Sequence, residues 1–191
     1  YLTSLGAAIY TSPLKWVIMF LPLAFVFGFG AAINRLSAAS AQLVFYVFAA
    51  TMGLSISWIF MVFTGYSVIQ VFLITSIAFA GLSIWGYTTK KDISGWGSFL
   101  IMGVIGLIVA SIINIFLGSP AIMFAISIIG VLIFAGLTAY DTQTIKNTYL
   151  QMAHTGDQEW LGKAAIMGAL NLYLDFINMF MFLLQLLGNR E

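Results

Sequence analysis

Two acidic residues stand where the sequence is otherwise apolar: Asp141 in FAGLTAYDTQTI and Asp175 in NLYLDFINMFMF. A carboxylate at mid-membrane depth costs about 2.5–3.5 kcal/mol on insertion scales, so each must face a protein interior and find a partner there. The other four acids need no such account. Asp92, Asp157 and Glu159 lie in polar stretches, and Glu191 is the last residue. Two carboxylates brought together in a dry site cannot both ionise cheaply. They can hold one shared proton and then titrate as a pair. Once deprotonated, their oxygens are hard ligands suited to calcium, so protons and calcium compete for the same atoms. Asp141 and Asp175 are therefore the expected proton-sensing pair and the expected calcium ligands. The plainer alternative is a hydrogen-bonded clasp between two helices.

The neighbouring residues extend this site. Asn171, Asp175 and Asn178 are spaced i, i+4, i+7 and share one helical face. Thr138 and Thr144 stand three residues either side of Asp141. Asn171, Asn178, Thr138 and Thr144 are the expected polar lining. Arg35 lies near the end of an apolar run, at a depth suited to an intramembrane carboxylate, and is the candidate partner of the pair. Its alternative role is that of a charge snorkelling to the interface.

These residues must be positioned by elements that the composition identifies as membrane helices. Of 191 residues, 62% are hydrophobic and 7% charged, against about 25% charged in soluble domains. A water-facing surface cannot be built from so few, and lipid is the solvent that fits. The net charge of +1 offers no field for nucleic acid, and the absence of cysteine removes disulfides, thiolate metal sites and cysteine catalysis.

Residues 1–10, YLTSLGAAIY, are too short to cross a hydrocarbon core that needs about 20 helical residues, and they read as the tail of a first span. A second span is expected at about 16–34, a third at 38–63, a fourth at 67–88 and a fifth at 96–117. The turn Gly118-Ser119-Pro120 leads into a sixth, from 121 to about 149 and running past the hydrocarbon. A polar stretch from Gln151 to Gly162 precedes the seventh, at about 163–187. The expected architecture is an all-α integral membrane bundle forming one domain over 1–191. Trp16, Trp58, Trp85, Trp96 and Trp160 fall near span ends, as an interfacial belt requires. Pro22 should kink the second span. Ala164, Ala165, Gly168 and Ala169 allow close helix approach along the seventh, which suggests that this helix is surrounded by others. Arg35, Lys90, Lys91, Lys146 and Lys163 fall on one side and Lys15 and Arg190 on the other, which puts the first group in the cytoplasm.

The segments YDTQTI at 140–145 and LYLDFINMF at 172–180, with Asn34-Arg35 and the glycine-containing third span, resemble the signature segments of the Bax inhibitor-1-like family, the transmembrane Bax-inhibitor-motif proteins. The resemblance covers essentially the whole chain. It implies seven transmembrane helices with the C-terminal one central and six around it, the first being incomplete in this chain. Bacterial members resemble a calcium leak channel gated by pH. By that resemblance Asp141 and Asp175 are the paired aspartates, and Arg35 is the basic residue of the second helix that contacts them. The stretch from Lys146 to Lys163 is longer here than in some members.

Other constellations fail. The last span holds no lysine for a retinal Schiff base beyond Lys163 at its entrance. His154 lies in the polar stretch rather than beside an intramembrane serine, and FGFG at 27–30 lies within a span rather than in a phosphate-binding loop. The expectation is a non-enzymatic pH-sensitive calcium (cation) leak channel gated by a buried proton-sharing aspartate pair. It would sit in the bacterial inner membrane with several passes and carry no cofactor, with calcium only as a transported or transiently bound ion. Two other functions stay open. One is a non-transporting modulator of membrane proteins, such as a membrane-bound ATP-dependent protease. The other is a proton-coupled cation exchanger. The expected partners are the lipid bilayer, calcium, protons and, for the modulator, other membrane proteins.

Overall fold

The computed structural model describes residues 33–190 together with Phe25, Gly28 and Phe29. The expected first span, Pro22, Lys15, Trp16 and nearly all of the second span lie outside the described residues. The chain forms two compact units, Tyr1–Met61 and Val62–Glu191. Among the described residues it is helical throughout, apart from loops and one isolated bridge between Phe63 and Arg190. Five described stretches are long and apolar enough to cross a membrane: Ala38–Val62, Gly65–Thr88, Trp96–Leu117, Pro120–Thr155 and Gln158–Leu187.

In the first unit a 3-10 turn, Ile33–Arg35, precedes helix α1, Ala38–Ile56. Ser37 caps α1 by accepting the Ser40 N–H at 3.2 Å. The third span is not one continuous helix. The Ser57 hydroxyl and backbone N–H both turn back to the Leu54 carbonyl, at 2.7 and 3.3 Å, and end α1 there. A short helix α2, Ile59–Val62, completes the apolar stretch.

In the second unit α3, Gly65–Thr88, is capped by Thr64, and α4, Trp96–Leu117, ends at Gly118 in the left-handed region, with φ at 60°. Glycine carries no Cβ penalty there, and the turn closes at once into the next helix. Ser119 accepts the Ile122 N–H and Pro120 takes the first position of α5, Pro120–Met152. At 33 residues α5 is about 50 Å long, well beyond a hydrocarbon core of about 30 Å. A 3-10 turn, Ala153–Thr155, leads to α6, Gln158–Leu187.

The polar stretch before the last span is therefore mostly helical, and α6 begins five residues earlier than expected. The reason is local: Asp157 accepts the Trp160 N–H at 2.9 Å, and Glu159 pairs with Lys163 one turn later at 3.7 Å.

Within this unit α5 is the hub, packing against α3, α4 and α6, while α6 packs on α3 and α5. Gly168 is buried against Ile145 as a close-approach residue should be, but Ala165 and Asn171 are exposed. The core is built from Leu107, Ile126, Ile133, Phe134 and Met179. At Gly86 the backbones of α3 and α5 meet: an added Cβ would fall on the Ala139 carbonyl and Cα. Helix direction places Lys90, Lys91, Lys146 and Lys163 at one end of the unit. Arg190 lies at the other, over the Phe63 ring, where the Thr64 N–H donates to the Asn189 carbonyl at 3.0 Å. Trp85 and Trp96 stack at the lysine end with centroids 6.3 Å apart, both partly exposed, as the belt expectation requires.

Candidate functional site: an aspartate pair between two helices

The site forms where α5 and α6 cross. Asp141 comes from α5 and Asp175 from α6, and the two carboxyl groups lie close enough to interact directly. Asp175 is 4% exposed, whereas Asp141 is half-buried. One oxygen of Asp175, Oδ2, is buried and receives no hydrogen bond. Among the described residues no N–H, hydroxyl or ammonium group donates to either carboxyl. A carboxylate has only acceptors, so two of them can be joined by a hydrogen bond only when one carries a proton.

Two clefts reach Asp141, and the second also reaches Asp175. The first, of about 730 Å³, runs between α5 and α6 toward the lysine end and is lined by Asp141, Thr144, Lys146, Tyr149, Trp160, Gly168 and Asn171, among others. The second, of about 630 Å³, runs along α4 and is lined by Ile101, Ser111, Ile115, Asp141, Asn171, Asp175, Asn178 and Phe182, among others. Asp141 and Asn171 line both.

The remaining expected residues divide. Asn171 and Asn178 are on the cleft walls, and the Asn178 amide donates to the Leu174 carbonyl at 2.8 Å. Thr144 lines the first cleft and donates to the Tyr140 carbonyl at 2.9 Å. Thr138 is fully buried, donates to the Phe134 carbonyl at 2.8 Å and lines neither cleft. Hydroxyls in an apolar helix turn back on their own i−4 carbonyl, and Thr138 is accounted for in that way. Arg35 ends the 3-10 turn of the first unit. Among the described residues no three His, Asp or Glu side chains cluster as metal ligands, so the pair could offer a cation two carboxylates, and water would fill most of its shell.

Gln143 and Lys146 belong to the site's surroundings and were not singled out in the sequence. Buried Gln143 accepts the Ile93 N–H at 2.9 Å and donates to the Lys91 carbonyl at 2.8 Å, tying the α3–α4 loop to α5. Lys146 donates to the Tyr87 carbonyl at 2.6 Å. The available signal was a glutamine two residues after Asp141 in an apolar run.

The sequence profile of the family described as inhibitor of apoptosis-promoting Bax1 matches residues 1–191. The chain belongs to the Bax inhibitor-1-like family. It is 49% identical over 181 residues to a protein of Caulobacter vibrioides, covering 94% of this chain and 72% of that one. It is 47% identical over 169 residues to the inner membrane protein YbhL of Escherichia coli, covering 88% and 72%. A membrane protein of Streptococcus pyogenes is 40% identical over 162 residues, covering 85% and 68%. With five described stretches able to cross a bilayer, this member of the family is a multi-pass inner-membrane protein.

Proposed function

We propose that the protein is a pH-sensitive calcium (cation) leak channel gated by the Asp141–Asp175 pair. The observation that carries this reading is that the two neighbouring carboxyls sit where two clefts share Asp141 and Asn171 as lining. With one proton between them, the carboxyls tie α5 to α6. Loss of that proton puts two negative charges side by side in a dry site, and gain of a second removes the charge-assisted bond. Either change biases a two-state arrangement of the helices around the pair.

The family resemblance makes Arg35 the proposed counter-charge of the pair, since a guanidinium is always charged and forks to match a carboxylate. A passing calcium ion would meet Asp141, Asp175 and the Asn171 amide oxygen while keeping most of its water. A site this sparse favours passage over retention.

The test is calcium flux into proteoliposomes across pH, with wild type beside Asp175→Asn and Asp141→Asn. Wild type should conduct with a pH midpoint, and each variant should keep its fold and lose that dependence. An unchanged midpoint in both variants makes the pair a structural clasp. Absence of flux in wild type points to a non-transporting modulator, and saturating flux stoichiometric with protons points to an exchanger.

A further inference from the structure

At the end of the second unit where α3 gives way to α4, a pocket of about 440 Å³ is lined by Lys90, Lys91 and Lys146 with Thr88, Thr89 and Asn147. Among the described residues none of the three lysines is paired with a carboxylate; the ion pair at this end is Lys163 with Glu159. Lys146 is held in place instead by a neutral group, donating to the Tyr87 carbonyl and lying 5.4 Å from the Tyr87 ring centroid. One carboxylate, Asp92, also lines the pocket, but it is committed to its own turn, accepting the Ser94 N–H at 2.9 Å. Three lysines thus share the pocket wall with one carboxylate.

The pocket wall is preformed, because Gln143 fixes the Lys91 carbonyl and the Ile93 N–H from below. The Asn147 side chain makes no hydrogen bond among the described residues, so its amide is free to donate. The depth is set by Trp85 and Trp96, which stack and are 43% and 47% exposed, marking the membrane interface at this end. Uncompensated ammonium groups with hydroxyls and an amide at headgroup level match a phosphate-bearing anion.

We infer that the Lys90–Lys91–Lys146 pocket binds a phosphate group, that of an anionic phospholipid headgroup or of free phosphate. Nothing in this inference depends on the aspartate pair or on transport.

The test uses the full chain in phosphatidylcholine vesicles, with tryptophan fluorescence quenched by brominated phosphatidylglycerol or by brominated phosphatidylcholine. The phosphatidylglycerol should quench at the lower mole fraction. The combined variant Lys90→Gln, Lys91→Gln, Lys146→Gln should lose that preference, by about fivefold per lysine removed. Lys163→Gln, at the same end but outside the pocket, should keep it. A second arm adds inorganic phosphate against matched chloride and reads thermal stability. Stabilisation of wild type but not of the triple variant identifies free phosphate as a ligand of the same site, and its absence alongside the lipid preference identifies the headgroup. Equal quenching by the two lipids with no effect of phosphate overturns the proposal. So does a loss in Lys163→Gln as large as in the triple variant, because a diffuse positive end would then explain the preference.

Discussion

Gln143 is the side chain through which the helix carrying Asp141 holds the loop carrying Lys90 and Lys91, and Gln143→Ala removes both of its bonds. The Ile93 N–H would be left unpaired at a residue only 2% exposed, where an orphaned donor costs about 1–3 kcal/mol. The Lys91 carbonyl is only part-buried, and water reaches it at a net loss of about 0.5–1.5 kcal/mol. Alanine's better helix propensity returns a few tenths of a kcal/mol. The expected destabilisation is about 1–4 kcal/mol, read from reversible unfolding of the detergent-solubilised protein. Gln143→Met fills similar space without the bonds and should fall in the same range, which separates hydrogen bonding from packing. A Gln143→Ala protein within about 0.5 kcal/mol of wild type would falsify the clasp and leave the loop held by something else.

Three further outcomes follow from single contacts. Gly86→Ala sets overpacking of about 1–3 kcal/mol against a helix-propensity gain of about 1 kcal/mol. Because the obstruction is the Ala139 backbone, it should destabilise by about 1–2 kcal/mol, whereas Gly81→Ala, with open space at its Cβ, should stabilise; equal effects in unfolding would mean α3 and α5 do not meet there. Asp92 is held below its ordinary value of 3.8 by the Ser94 side chain and backbone. Its contribution to the α3–α4 turn is therefore present above that ordinary value and lost as pH falls through the lower folded value. Ser94→Ala should move the Asp92 titration, followed by carboxyl NMR, back toward 3.8. Arg35→Ala removes the assigned counter-charge, so protonation of the pair becomes easier and the flux midpoint should move to higher pH by about one unit; an unmoved midpoint returns Arg35 to the snorkelling role.

What the sequence made legible was governed by local chemistry. The expected span at 96–117 coincides with α4, because Gly118-Ser119-Pro120 carries a C-cap, an N-cap and a first-position proline in three residues. The aspartates were legible because the expense of a carboxylate in an apolar run does not depend on knowing the fold. The early start of α6 was also written locally, in Asp157 and the Glu159–Lys163 spacing, but polar composition masked it. Gln143 could not be assigned in advance, since its partners lie 50 and 52 residues away. The small residues of the last span divide between a helix contact and a cleft wall. Gly168 meets Ile145, but Ala165 stands on a cleft wall, and residue size alone does not say which side of a helix is covered.

In the proposed switch, the position of Asp141 on α5 decides which side can move. Around it α5 is locked to its neighbours within a few residues. Ala139 backs directly onto Gly86 of α3, the Tyr140 hydroxyl fills the space at Gly97 of α4, and Gln143 grips the loop between those two helices. A backbone-to-backbone contact such as Gly86–Ala139 has no slack to absorb a shift, so α5 cannot separate from α3 without breaking it. On α6 the contacts near Asp175 are softer. Phe176 meets Phe72 and Phe79 edge-on at 5.5 and 5.4 Å, and flat rings can slide where interlocked backbones cannot. Repulsion between two ionised carboxyls would therefore be relieved by displacement of α6 along its aromatic seam, with α5 as the fixed post. The clefts on either side of Asp141 would change shape with it, which is how one proton between two side chains could govern a path many times its size.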